Sequence, residues 1–204
     1  MTSSSRILSK DGKRLPPKRM KNLEVRCREH LLPDEVEDLI KAARATRNGD
    51  RNALMILLMF RHGLRVSEVI TLRWAQIDLR QGMMHVNRLK KGMPSTHPIS
   101  ARESRALHTH KKNNQGNSPF VFLSERGAPM ARRNVNDIVA AAGKRAEIDF
   151  PVHPHQLRHA CGYYLAMHGQ DTRAIQAYLG HTSIEHTVRY TALAPDRFKN
   201  FWQD

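Results

Sequence analysis

The stretch His153–Gly169, "HPHQLRHACGYYLAMHG", places Leu157, Ala160, Cys161, Tyr164 and Leu165 at i, i+3, i+4, i+7 and i+8. That rhythm belongs to a helix with one face in a core, and Gly169 marks its end. A second set, His155, Arg158, His159 and Gly162, follows the same rhythm on another face, so His155 and Arg158 stand side by side at the helix start. A metal site, catalytic apparatus or a solvated polar face could each explain such a cluster. A zinc site would use His155 and His159 at i, i+4. Against it, Arg158 sets a permanent cation beside the metal, no Glu follows His155, and Cys161 falls on the core face. A helix N-terminus bearing an arginine and a histidine suits a phosphate better, because backbone N–H groups, the helix dipole and a two-pronged guanidinium all favour an anion.

Downstream, Asp171 can cap a short helix through Leu179 that Gly180 stops, leaving His181 at a turn. Ser183 can cap the next helix, whose positions Ile184, Thr187, Val188 and Thr191 form the core stripe and leave Tyr190 off it, able to face a pocket. Upstream, Leu32, Val36, Leu39 and Ile40 repeat at helical spacing around Pro33, with Asp34 and Glu35 in the first turn. "NALMILLMFRH", Asn52–His62, is apolar nearly all round and is followed by Gly63, as expected of a buried central helix, and another helix is expected from Val66. Between Ile77 and Ser100 the pattern turns extended around Gly82, Gly92 and Pro94, predicting a small antiparallel sheet with its hairpin tip at Lys90–Pro94. A weak helix over Ala101–His110, a polar loop, the apolar "FVFL", a turn at Gly127–Pro129 and a helix bearing Val135, Ile138, Val139 and Ala142 complete the pattern. The fold class is mainly α with a small antiparallel β-sheet, an α+β arrangement. Residues 1–29 read as a basic, flexible N-terminal arm with Ser3–Ser5 and Pro16-Pro17, and residues 30–204 as one domain.

The chain of 204 residues carries 34 Lys and Arg against 19 Asp and Glu, a formal charge of +15, which favours a polyanionic partner such as DNA or RNA. Cys27 and Cys161 stand far apart outside any zinc-ribbon spacing, so a reducing compartment is expected. The basic N-terminus lacks the apolar run of a secretory signal, and no stretch reaches the ~20 apolar residues of a membrane span, giving a cytoplasmic expectation. With neither a carboxylate cluster for Mg²⁺ nor a Walker A loop, no metal or ATP cofactor is expected.

Taken together, "HGLRVSE" with Arg65, "RLKKG" with Lys90, "HPHQLRH" with His155 and Arg158, and "LGHTSIEHTVRY" with His181 and Tyr190 resemble the signature of the tyrosine site-specific recombinases. The motifs stand in that family's order, and the nine-residue step from His181 to Tyr190 is the family's own. "RLKKGMPSTHPIS" and "HPHQLRHACG" are similar to the short FimB/FimE-type recombinases, which invert a promoter-bearing DNA element and so switch fimbriae on and off (phase variation). The resemblance covers about Leu31 to Arg197 and implies the recombinase catalytic-domain fold without a separate preceding core-binding domain. It implies that Tyr190 forms a 3′-phosphotyrosyl link, that Arg65, Arg158 and His181 stabilise the phosphate, and that His155 assists proton transfer. Lys90 would protonate the leaving oxygen, with Lys91 its rival. It further implies double-stranded DNA with inverted-repeat sites, a tetramer on paired sites docked through Phe198, Phe201 and Trp202, and DNA-bending accessory proteins. Glu68 reads either as a partner of an active-site cation or as a surface residue. The rival functions are a non-catalytic DNA-binding regulator of the same fold, a recombinase acting in integration or excision of another element, a relaxing topoisomerase and a zinc enzyme.

Overall fold

The fold, described for residues 30–88, 92–113 and 118–192 of a computed structural model, begins at α1 (Pro33–Arg44). Proline suits the first helical position, where no amide hydrogen bond is lost, and Glu35 reaches back to accept the amide of Leu32 at 2.7 Å. Val36, Leu39, Ile40 and Ala43 turn inward onto α2 (Gly49–Arg61), in which Ala53 to Phe60 are all buried. A helix apolar on every side needs cover on every side. α1, α4 (Ala101–Asn113) and α6 (Pro154–Met167) supply it, while α5 (Arg132–Arg145) lays Val135, Val139 and Ala142 against α1.

After α2 the chain turns at Gly63, whose φ of 57° is left-handed and whose missing Cβ makes room for Leu179. α3 (Val66–Ile70) and a single 3-10 turn at Trp74–Gln76 lead into β1 (Ile77–Asp78), β2 (Met83–Val86) and β3 (Ser95–Pro98), antiparallel in that order. Met84 pairs with His97 and Val86 with Ser95. Alternation along β2 sends Met84 and Val86 inward and His85 outward, and the same parity carries Arg88 into the interior. Part of the expected hairpin tip, Lys90 and Lys91 included, lies outside the described residues. So do the N-terminal arm and the C-terminal Phe198, Phe201 and Trp202.

α6 begins as α1 does, with Pro154 at the first position and Gln156 accepting the amide of His153 at 2.8 Å. Asp171 caps α7 (Thr172–Leu179) by accepting the amides of Arg173 and Ala174, and Gly180 closes it at φ 66°. α8 (Glu185–Ala192) packs on α6 and α7 and corrects the expected stripe: Val188 is exposed, and Tyr190 lies in the core with Thr187. The cause is the partner surface. Gly162 of α6 leaves a recess that the Tyr190 ring occupies, and a Cβ there would stand 2.5 Å from Tyr190 Cε2. Among the described residues, no helix is long and apolar enough to cross a membrane.

Candidate active site

The left-handed turn at Gly63 points the carbonyls of His62 and Gly63 inward, and two arginines converge on them. Arg158, 1% exposed, donates to the Gly63 carbonyl and to that of Leu179, tying α6 to this turn and to the end of α7. Arg88 donates to the carbonyls of His62, Gly63 and Tyr178 and to Glu68 Oε2 at 2.9 Å. It is seated between two glycines, since a Cβ on Gly92 or Gly180 would collide with its stem. Arg65 sits at the head of α3, where Glu68 accepts both its amide, at 2.9 Å, and its guanidinium, at 2.8 Å.

Glu68 is therefore a buried bridge between two cations, which resolves the earlier alternative against a surface residue. Burial pushes its carboxyl up, but Arg88 and Arg65 outweigh that and hold it below the usual range. Three guanidiniums thus face one carboxylate. Burial, and then the charges of Arg65 and Arg88, bring Arg158 down to about 10, so it remains charged at neutral pH. A buried excess of positive charge is expensive unless an anion completes it.

Tyr190 comes to the same place from α8. Its hydroxyl lies 3.0 Å from Nδ1 of His159, the residue beside Arg158 on α6. Burial, opposed by Arg158, holds the phenol up at about 12. Tyr163 meets the Tyr190 ring edge-on, with centroids 5.0 Å apart, and the His181 ring lies parallel to it at 6.3 Å. His181 Nδ1 is held by Thr187 Oγ1 at 2.8 Å. Burial first, and then Arg158 and Arg65, lower His181 to about 3. His155 is exposed at the rim, its ring packed against that of His159 with centroids 4.4 Å apart. Its pKa is lowered by partial desolvation and by Arg158. Among the described residues no three His, Cys, Asp or Glu side chains gather as metal ligands would.

Five of the six expected site residues, Arg65, His155, Arg158, His181 and Tyr190, thus surround one locus; Lys90 lies outside the described residues. Two groups escaped the sequence reading. Arg88 was signalled by the inward parity of Met84 and Val86. His159, placed there on the same helical face as His155 and Arg158 but given no catalytic role, is the one that touches the tyrosine hydroxyl.

The Phage integrase family profile matches residues 29–197. Over 179 residues the chain is 42% identical to the type 1 fimbriae regulatory protein FimB of Escherichia coli strain K12, covering 86% of this chain and 90% of that protein. Identity to FimE of the same strain is 40% over 181 residues, covering 86% and 91%. The crystal structure of XerA recombinase superposes with a TM-score of 0.73 at 26% identity, over 84% of this chain and 63% of that one.

Proposed function

The chain belongs to the phage integrase family and is a tyrosine-type DNA recombinase, and on that premise we propose that Arg65, Lys90, His155, Arg158, His181 and Tyr190 form its active site. Tyr190 Oη attacks the scissile phosphorus, the bond to the 5′ oxygen breaks, and the phosphate stays on the tyrosine as a 3′-phosphotyrosyl link. Lys90, or its neighbour Lys91, protonates the departing 5′ oxygen. The adduct conserves the energy of the broken bond, so a 5′-hydroxyl from a new partner strand can reverse the step without ATP. Arg65 and Arg158 hold the non-bridging oxygens as cations of fixed geometry, the work a metal performs in other phosphoryl transfers. Nδ1 of His181 is paired with the Thr187 hydroxyl, and we assign the hydroxyl as donor, which places the imidazole proton on Nε2 as a neutral donor to the phosphate. His155 stands at the rim, where it assists proton movement.

One observation carries this reading: the buried cation Arg158 and His159, which holds the tyrosine hydroxyl, are consecutive on α6, so the anion clamp and the group that positions the nucleophile share one rigid support. The likeness to FimB and FimE supports a site-specific recombinase whose substrate is double-stranded DNA with inverted-repeat sites flanking a promoter-bearing element, and whose role is fimbrial phase variation. Synapsis then uses a tetramer on paired sites, joined through the stripe Phe198, Phe201 and Trp202 and assisted by DNA-bending proteins, with the basic residues 1–29 as an additional DNA contact.

The test is trapping of a covalent protein–DNA adduct on a nicked site in EDTA, followed by rejoining to a new strand. The native chain gives the adduct and the recombined product; Tyr190→Phe gives neither. An adduct that survives this substitution overturns the assignment, and relaxation of supercoils without strand exchange overturns the recombination reading.

A further inference from the structure

The hydroxyl of Tyr190 is held inside the protein. His159 Nδ1 lies 3.0 Å from it, and the two residues are 9% and 2% exposed. Three positions further along α6, Gly162 forms the floor under the ring, and Tyr163 forms a wall. Packing alone does not call for histidine at 159. A buried imidazole surrounded by cations is costly unless its hydrogen bond is used.

We infer that His159 is a further catalytic residue, which aligns the Tyr190 hydroxyl and takes its proton as Oη attacks phosphorus. The inference rests on Tyr190 as nucleophile. In the step, the Oη–H pair stays on oxygen and forms the bond to phosphorus while the bond to the 5′ oxygen breaks. The phenolic proton moves to His159 Nδ1, the proton on Nε2 remains, and the 5′ oxygen receives its proton from the leaving-group acid. Rejoining returns the proton from Nδ1 to Oη. His155, to which the family resemblance gave this duty, packs on the His159 ring from the exposed side and acts through it.

The groups facing His159 are His155, His153 and Arg158 from its own helix and Arg189 and Tyr190 from α8. Burial, and then the positive neighbours, bring the imidazole down to about 3, so it meets the phenol as a neutral acceptor. A DNA phosphate set among the same cations acts in the opposite direction and raises the proton affinity of the ring.

Single-turnover cleavage of a nicked site, measured against pH, tests the assignment alongside DNA binding and thermal melting. His159→Ala should retain DNA binding and slow cleavage by about 10²-fold, the usual scale of a lost acid–base group. His159→Asn presents an amide oxygen near the Nδ1 position, so it keeps the hydrogen bond without the basicity. It should stay at least about 10-fold slow, with a rate that climbs with pH as the phenol ionises unaided. Fluorotyrosine at position 190, a more acidic phenol, should speed His159→Ala more than it speeds the native chain. A native cleavage rate in His159→Ala, full recovery in His159→Asn, or an equal fluorotyrosine response in both backgrounds would overturn the proposal. Should His159→Ala fail to fold, the Asn variant decides through its rate and pH profile. Adduct formation by Tyr190→Phe instead breaks the reading of the nucleophile itself, whatever His159 does.

Discussion

Two histidine clusters lie near the Gly63 turn and are built on opposite electrostatic plans. In one, His62 and His97 meet Nδ1 to Nδ1 at 3.1 Å, Glu103 stands 2.9 Å from His62 Nε2, and Ser95 Oγ is 2.7 Å from His97 Nε2. Tyr178 stacks on His97, and Ser100 gives both its amide and its hydroxyl to the other oxygen of Glu103. Burial pushes Glu103 up, but His62 and Ser100 outweigh it and hold the carboxyl low. The second cluster, His155, His159 and His181, shares its space with Arg65, Arg88 and Arg158, while Glu68 is committed to two of those arginines. The first cluster finds its partners, Glu103, Ser95 and Ser100, within the chain, and we read it as structural. In the second, among the described residues, Glu68 pairs with Arg65 and Arg88 while Arg158 donates only to backbone carbonyls, an excess of positive charge that suits an anion from outside such as the DNA phosphate proposed above.

The sharpest way to break this contrast is at Arg158. Lysine keeps the charge but cannot reach both the Gly63 and the Leu179 carbonyls, nor grip a phosphate with two prongs. Arg158→Lys should lower single-turnover cleavage by about 10²–10³-fold, the scale for losing one fixed donor to a developing charge. A rate close to native would show that positive charge suffices and that the paired geometry does not matter.

A smaller effect separates the clusters through their carboxylates. Glu68→Gln leaves the fully buried Arg88 without its counter-charge and should cost about 3 kcal/mol of stability, besides freeing Arg65 and slowing cleavage. Glu103→Gln should also destabilise, by about 1–3 kcal/mol, through its lost charge-assisted bonds, yet leave cleavage per folded molecule unchanged. Denaturant unfolding and single-turnover rates on the same samples measure both. If Glu103→Gln slowed the chemistry as Glu68→Gln does, the first cluster would not be merely structural.

The two clusters also differ in how far the sequence reveals them. Arg158 declares itself because His155 and Arg158 fall one helical turn apart and share their motif with a distant tyrosine. The Gly63, Gly169 and Gly180 turns and the Asp171 cap are local signals, and they place the ends of α2, α6 and α7 correctly. The pairs His62–His97 and His62–Glu103 join residues 35 and 41 positions apart, and no local rule brings them together. Arg88 lay within reach of strand parity, but a charged residue at the end of an edge-forming hairpin reads by default as solvent-exposed. Tyr190 was put on the wrong face because Thr187 and Val188 both count towards a core stripe, and only the recess at Gly162 decides between them.

The smallest effect is a proton count, and it divides the clusters most finely. His97, His159 and His181 all lie at about 3, well below the ordinary histidine value of 6.5, with burial as the first cause in each. As pH falls below about 6.5 the unfolded chain binds these protons before the folded one, so stability is full above that pH and declines towards pH 3. DNA should split the three. A phosphate seated among Arg65, Arg158 and His181 raises the proton affinity of His181 and His159. His97, enclosed by Ser95, His62 and Tyr178, gains nothing from it. Binding at pH 5.5 should therefore take up a fraction of a proton, seen calorimetrically as a binding enthalpy that varies with the ionisation heat of the buffer. His181→Asn and His159→Asn should each reduce that uptake, and His97→Asn should leave it intact. Uptake that vanishes with His97→Asn, or enthalpies identical in every buffer, would mean that the arginines of the site do not hold the phosphate close enough to its histidines to reach their protons.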